Sequence, residues 1–188
     1  MWAPAETTAS GAGGCQSAYT ISVDITLEAV TVEQKPILWR LLQVYLHDLS
    51  EFDGQDPDPA TGEYKYSYFD HYWDRSLYPP EPREPYFIHA DDKLAGFAMV
   101  RHLDNGKTQM AEFTVLRKWR GTGLALEAAG MVFHRYPGPW DLTIHPKNER
   151  AKAFWVKAIE SNAEGDWTER GGIIVWHQFD IPAPAEQA

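Results

Sequence analysis

The stretch Glu-Phe-Thr-Val-Leu-Arg-Lys-Trp-Arg-Gly-Thr-Gly-Leu-Ala, residues 112–125, constrains this chain more than any other. It reads as a strand that enters a basic loop with two glycines, and the loop opens a helix. The first turn of a helix carries unpaired N–H groups and the positive end of the helix dipole, so it attracts phosphate oxygens. Glycines let the backbone approach such a ligand and adopt conformations closed to other residues. Arg117, Lys118 and Arg120 concentrate positive charge in a chain whose formal net charge is -10. A P-loop is excluded, because no Gly-x4-Gly-Lys-Ser/Thr occurs. A dinucleotide fingerprint is excluded too, since its third glycine would fall at Leu126, too bulky for close packing. The simpler alternative is a tight strand–helix turn that holds no ligand.

The chain around this stretch has 188 residues, enough for one domain with its own core. Residues 21–30 alternate and are rich in β-branched types, which predicts a first strand. Leu38, Leu41, Leu42, Tyr45 and Leu49 then recur at helical spacing. Two starts are open for this helix: a capping box of Thr31 with Gln34, or a start near Pro36. Residues 50–85 form a long irregular segment, of the kind that is usually functional or mobile. A hairpin is expected from residues 86–89 and 94–102 around Asp91, Asp92 and Lys93, with a second turn at residues 104–107. Strands at 110–116, 140–145 and 173–181 and helices at 124–135 and 148–159 complete the pattern. Three consecutive strands imply an antiparallel meander, and the later strand–helix–strand a parallel crossover. The expected fold is α/β in the α+β sense: one domain, residues 20–181, with a mixed sheet flanked by helices. Residues 1–19 and 182–188 read as tails.

A second pattern follows the strand at 140–145: Asn148, Ala151, Phe154 and Trp155. Asn148 suits a helix N-cap, and its amide could also reach a ligand. With the glycine loop, written Lys118-Trp119-Arg120-Gly121-Thr122-Gly123, this pair of motifs resembles the GNAT acyltransferases. Their phosphate motif runs Gln/Arg-x-x-Gly-x-Gly/Ala; Lys118 keeps its charge but loses the planar fork. The resemblance follows the order of elements over residues 21–181 and is specific between Glu112 and Trp155. It implies a mostly antiparallel sheet whose central strands splay, with acetyl-coenzyme A held between them. The coenzyme contacts it implies are Thr114, Val115 and Leu116 on the strand, then Arg120, Gly121, Thr122, Gly123 and Leu124, with Asn148 and Phe154 across the gap. An N–H near Val115 would polarise the acetyl carbonyl.

Acyl transfer to an amine needs a deprotonated nucleophile, and a free alkylamine has a pKa near ~10. Glu112, on the strand entering the loop, is the candidate base. By strict alternation it shares a face with Met110, Thr114 and Leu116. The tyrosine that the family uses to protonate the leaving thiolate corresponds to Trp155 here, and indole is not an acid. His145, at the end of its strand, is the candidate substitute. His47, His71, His89, His102, His134 and His177 show no metal-ligand spacing, and no metal is expected. The single cysteine, Cys15, lies remote in the leader, so no ping-pong acyl-enzyme is indicated.

Residues 41–64 contain no Lys or Arg but include Asp48, Glu51, Asp53, Asp56, Asp58 and Glu63. Tyr64, Tyr66, Tyr68, Phe69, Tyr72 and Trp73 follow. Carboxylates beside aromatic rings suit a cationic acceptor, which makes Asp48, Glu51 and Asp53 candidate substrate contacts. The acidic balance argues against nucleic acid. No apolar run reaches the ~20 residues of a membrane span, no secretory leader is visible, and one cysteine allows no internal disulfide, so a cytoplasmic location is expected. The reading is an amine N-acetyltransferase, in its sharper form an aminoglycoside acetyltransferase. A coenzyme A-binding sensor without turnover is the alternative of another class, and a homodimer is expected by family analogy alone.

Overall fold

In the computed structural model, residues 23–77, 81–172 and 174–184 are described. The order of elements is β1 (Ile25–Ala29), α1 (Lys35–Asp53), β2 (Arg83–Ala90), β3 (Lys93–His102), β4 (Thr108–Val115), α2 (Leu124–Arg135), β5 (Gly138–Ile144), α3 (Glu149–Asn162), β6 (Glu164–Arg170) and β7 (Val175–Ile181). They build one seven-stranded sheet in the order β1-β2-β3-β4-β5-β7-β6. Every neighbouring pair is antiparallel except β4 and β5, which run parallel. The sheet is therefore mixed and mostly antiparallel. The N-terminal tail with Cys15, the first residues of the expected opening strand and residues 185–188 of the C-terminal tail lie outside the described residues.

Helix α1 takes the later of its two starts. Lys35 and Pro36 open it, where a proline's missing N–H costs nothing. Half of the capping box survives one turn earlier, since Thr31 N donates to Gln34 Oε1 at 3.0 Å. Leu38, Leu42 and Leu46 are buried at i, i+4 and i+8, each worth about 1.5–3 kcal/mol. Helical spacing also points to Leu41, Tyr45 and Leu49 on this face; they pack partly buried at its flanks. Gly54, at φ 71°, ends the helix, its N–H donating to Ser50 O.

Alternation along β2 and β3 sorts the core into two layers. Phe87, Phe97 and Met99 face α1. Tyr86, Ala98 and Val100 face α2 and α3. The β2–β3 turn uses Asp91 and Asp92 at φ 49° and 60°, as a two-residue hairpin requires. Gly96 of β3 has no room for a side chain, because a Cβ there would stand 2.2 Å from Thr114 O.

One element was not expected, and one segment is held more firmly than its composition suggests. Strand β6 went unforeseen, because its sequence, EGDWTER, is polar and exposed and lacks the alternation of a half-buried strand. Residues 54–77 are irregular, as expected, apart from one 3-10 turn at Asp70–Tyr72, and they are anchored. Tyr64 exchanges two hydrogen bonds with the Gln43 amide, at 2.6 and 3.1 Å, and Trp39 Nε1 donates to Glu63 Oε1 at 2.8 Å. Phe69 and Tyr72 are buried against α1. The segment thus lies over the α1 face as part of the core.

Candidate active site

Strands β4 and β5 pair only from Thr108–Trp140 to Met110–Leu142. Beyond that point each continues without the other, and a cleft of about 460 Å³ opens between them. This is the splay that the resemblance implied. Its walls are Phe113, Thr114 and Val115 of β4, Thr143 and Ile144 of β5, and Asn148, Ala151, Phe154 and Trp155 around the start of α3. Arg117, Arg120 and Gly121 close one side, and Tyr45, Asp48, Glu51 and Phe52 of α1 another.

The glycine loop has the conformation its residues require. Gly121 and Gly123 sit at φ 78° and 91°, and nothing lies within 4 Å of either missing Cβ. Gly123 caps α2 without a side-chain hydrogen bond. The Gly121, Thr122 and Gly123 amides have no hydrogen-bond partner among the described residues. Open space, unpaired donors and a helix start fit a diphosphate. Across the cleft, Asn148 Oδ1 accepts from Ala151 N at 3.0 Å and caps α3, which leaves its NH2 for other partners. Phe154 stacks on Phe113 with centroids 5.8 Å apart. These features suit the phosphates and pantetheine arm of coenzyme A.

The expected coenzyme contacts divide accordingly. Thr114, Val115, Arg120, Gly121, Asn148 and Phe154 line the cleft. Leu116 does not; its N–H donates to Ala95 O at 2.8 Å. Leu124 does not either, since its side chain is buried in the core beneath the loop. Thr122 turns its hydroxyl to Trp119 O, at 2.8 Å.

Asp48, expected to meet the acceptor, lines the cleft and ion-pairs with Arg117 at 2.8 Å and Arg120 at 3.0 Å. Burial opposes its charge, but hydrogen bonds from these arginines hold its carboxyl below the usual range. Arg120 also donates through Nε to Val115 O at 2.8 Å. Asp53 turns its carboxylate to Gln55 N at 2.9 Å and is not part of the cleft wall. Of the three expected acceptor contacts, Glu51 remains in the cleft with no ion pair or hydrogen bond among the described residues.

Glu112 does not point where alternation placed it. Met110 pairs with Val100 and Glu112 with Met99, so Ala111 is an extra, bulged residue. Met110 therefore joins the core under α2 and α3, while Glu112 and Thr114 face α1. There the phenols of Tyr45 and Tyr66 stand near the Glu112 carboxyl and favour its ionised form. Burial outweighs them and pushes this carboxyl up to about 7. Glu112 itself is not among the cleft-lining residues.

His145 lines the cleft beside Phe52, with ring centroids 6.1 Å apart, and its Nδ1 accepts from Lys147 N at 3.3 Å. Trp155 is buried at 8% exposure, edge-on to Phe113 at 5.2 Å. Tyr45, Phe52, Thr143 and Arg150 are cleft residues that the sequence left without a role. Tyr45 was legible only as one aromatic on a helix face. Among the described residues no His, Cys, Asp and Glu group is placed to hold a metal ion, and no helix is long and apolar enough to cross a membrane.

A sequence model of the acetyltransferase (GNAT) family matches residues 43–159, which include the glycine loop, the cleft and most of the helices around it. The chain belongs to the GNAT acetyltransferases. Solved structures agree on the fold. An acetyltransferase from Thermus thermophilus superposes with a TM-score of 0.61 at 14% identity, over 84% of this chain and 97% of that one. The aminoglycoside acetyltransferase AAC(6')-Ib in complex with coenzyme A gives 0.58 at 16%, over 84% and 95%. A spermidine N-acetyltransferase SpeG chimera from Vibrio cholerae and hSSAT gives 0.54 at 11%, over 84% and 95%. No curated protein matches this GNAT chain by sequence. Acetyl-coenzyme A-dependent acyl transfer is the chemistry of the family.

Proposed function

We propose that this GNAT enzyme moves the acetyl group of acetyl-coenzyme A to a primary amine of a cationic small molecule. One observation carries the reading: a single cleft brings together a basic glycine loop, a splayed strand edge and a carboxylate-bearing helix wall. The amides at residues 121–123, with Arg120 and Arg117, would hold the diphosphate. Thr114 and Val115 would pair with the pantetheine amides, and Asn148 and Phe154 would close over the arm. Coenzyme A supplies an activated thioester; the protein supplies orientation and proton handling. Glu51, exposed and without a partner among the described residues, would meet the acceptor's positive charge beside Tyr45 and Phe52. Resemblance in fold to aminoglycoside and spermidine acetyltransferases is in keeping with a polycation.

The test is thiol release from acetyl-coenzyme A with a polyamine, an aminoglycoside, a lysine peptide and a neutral arylamine. The polycations should turn over best, with a KM that rises with salt. Glu51→Gln should raise that KM several-fold and leave the neutral amine unaffected. Equal turnover of the neutral amine removes the charge selectivity. Coenzyme binding without thiol release from any amine favours a sensor instead, for which Trp155 in the acid's place is the supporting feature.

A further inference from the structure

The candidate base and the cleft are separated, and one residue belongs to both. Glu112 faces α1 because Ala111 is bulged, and it does not line the cleft. Tyr45 lines the cleft, and its phenol acts on the Glu112 carboxyl, favouring its ionised form. Its ring stands edge-on to buried Phe97, centroids 5.8 Å apart, on the sheet face that Phe97 and Met99 share with Glu112. Tyr66 also reaches Glu112, but it arrives from residues 54–69 and is not a cleft residue.

We propose that Tyr45 carries the proton between the cleft and Glu112. The inference rests on amine acetylation as the reaction. The acceptor's ammonium gives one proton to Tyr45 Oη as Tyr45 passes its own to the Glu112 carboxylate. The freed amine then attacks the acetyl carbonyl, forming the C–N bond. As the C–S bond breaks, the remaining surplus proton on nitrogen goes to the thiolate. Glu112 later loses its proton to water through the same hydroxyl. The products are the acetamide, the thiol and one released proton, so the step balances.

The surroundings favour a paired transfer over a free phenolate. Burial raises the Tyr45 phenol well above its ordinary value, and the charge of Glu112 raises it further. Asp53, at the end of α1, acts in the same direction. Around Glu112 stand Tyr45 of α1 with Tyr66 and Tyr72 of the overlying segment, and Arg83 of β2 meets Tyr72 from behind. Among the described residues, these groups give Glu112 no cationic partner of its own.

The experiment compares the parent, Tyr45→Phe, Glu112→Gln and the double variant. Thermal melts confirm folding. Tyr45→Phe should lower kcat about 100-fold or more with acetyl-coenzyme A affinity retained. The double variant should be little worse than either single one, as expected of one route. A proton inventory in mixed H2O and D2O should be curved for the parent, with two protons in flight, and lose that curvature in Tyr45→Phe. Independently of activity, the Glu112 side-chain carboxyl, followed by ¹³C NMR in the protein without substrates, should titrate higher in Tyr45→Phe. A fluorinated tyrosine at position 45, which keeps shape, should move the pH–rate profile. Near-parental turnover in Tyr45→Phe with a large loss in Glu112→Gln overturns the relay and leaves Glu112 as base. Near-parental turnover in both overturns the relay and the base together. A parent inactive on every amine overturns the acetylation reading on which the relay stands.

Discussion

Glu112 is a carboxyl that the fold makes harder to ionise, and this has two consequences of opposite kind. Its titration near 7 lies where a general base is most effective, taking protons without being already protonated. The same shift costs stability. The folded pKa is raised above the unfolded one, so the folded state binds more protons between about pH 4.5 and 7. Stability therefore falls as pH rises through that window, and the cost is complete above it. Glu112→Gln removes this ionisation. We expect the variant to melt higher than the parent at pH 8, by an amount of the order of 2–3 kcal/mol or less, with the gain vanishing below pH 4.5. Turnover should meanwhile drop by ~10²–10⁴-fold at neutral pH and recover partly at high pH, where the acceptor arrives deprotonated. A scan of melting temperature and rate against pH reads both signs, and an equal loss of rate at all pH values would mark Glu112 as structural.

At the scale of elements, the cleft and the placement of Glu112 come from two interruptions of regular structure beside each other. The bulge at Ala111 turns Glu112 to the α1 face, and the early end of β4–β5 pairing opens the cleft. The glycine loop then turns the chain into α2, leaving the amides of residues 121–123 without a partner among the described residues. Gly121→Asp tests this loop. Nothing lies near the missing Cβ, and Asp tolerates positive φ better than most residues, so the fold should survive with a loss of about 1 kcal/mol. A carboxylate among the amides would repel the diphosphate, so acetyl-coenzyme A should bind at least ~10-fold more weakly by calorimetry. Unchanged affinity in a folded variant would place the diphosphate elsewhere.

Over the whole molecule, distant segments converge on one point. The segment after α1 is pinned by Gln43 at Tyr64, two residues before Tyr66 reaches Glu112. Gln43→Ala leaves both Tyr64 backbone groups without that partner. It should cost about 1–3 kcal/mol and loosen Tyr66 from Glu112. The Glu112 titration should then move higher, since Tyr66 is one of the two phenols that favour its ionised form. Carboxyl NMR on the folded variant checks this; an unmoved titration would mean that Tyr66 is held by its own packing. The acidic run works differently than its composition suggests. Asp58 caps the amides of Ala60 and Thr61, Glu63 accepts from Trp39, and Asp48 pairs with two arginines. Much of that charge is spent on holding the segment's shape.

What the sequence determined by itself was local. Glycines before an apolar helix, an Asn three residues before an Ala, and β-branched alternation each act within a few residues. The loop, α2, the N-cap of α3, the hairpin and the family were therefore legible. Strand β6 was not, because an exposed edge strand draws its order from its partner and not from its own side chains. Only the tertiary structure decided which face Glu112 takes. A bulge shifts side-chain parity by one residue, and nothing in Met110-Ala111-Glu112 announces it. Only the tertiary structure brought Tyr45 and Tyr66 to that carboxylate, because they lie 67 and 46 positions away along the chain. Asp48 likewise met Arg117 and Arg120 across separations of 69 and 72 residues. Contacts of that range depend on how α1 packs across the sheet, and burial by that packing is what moved Glu112 into the range of a base.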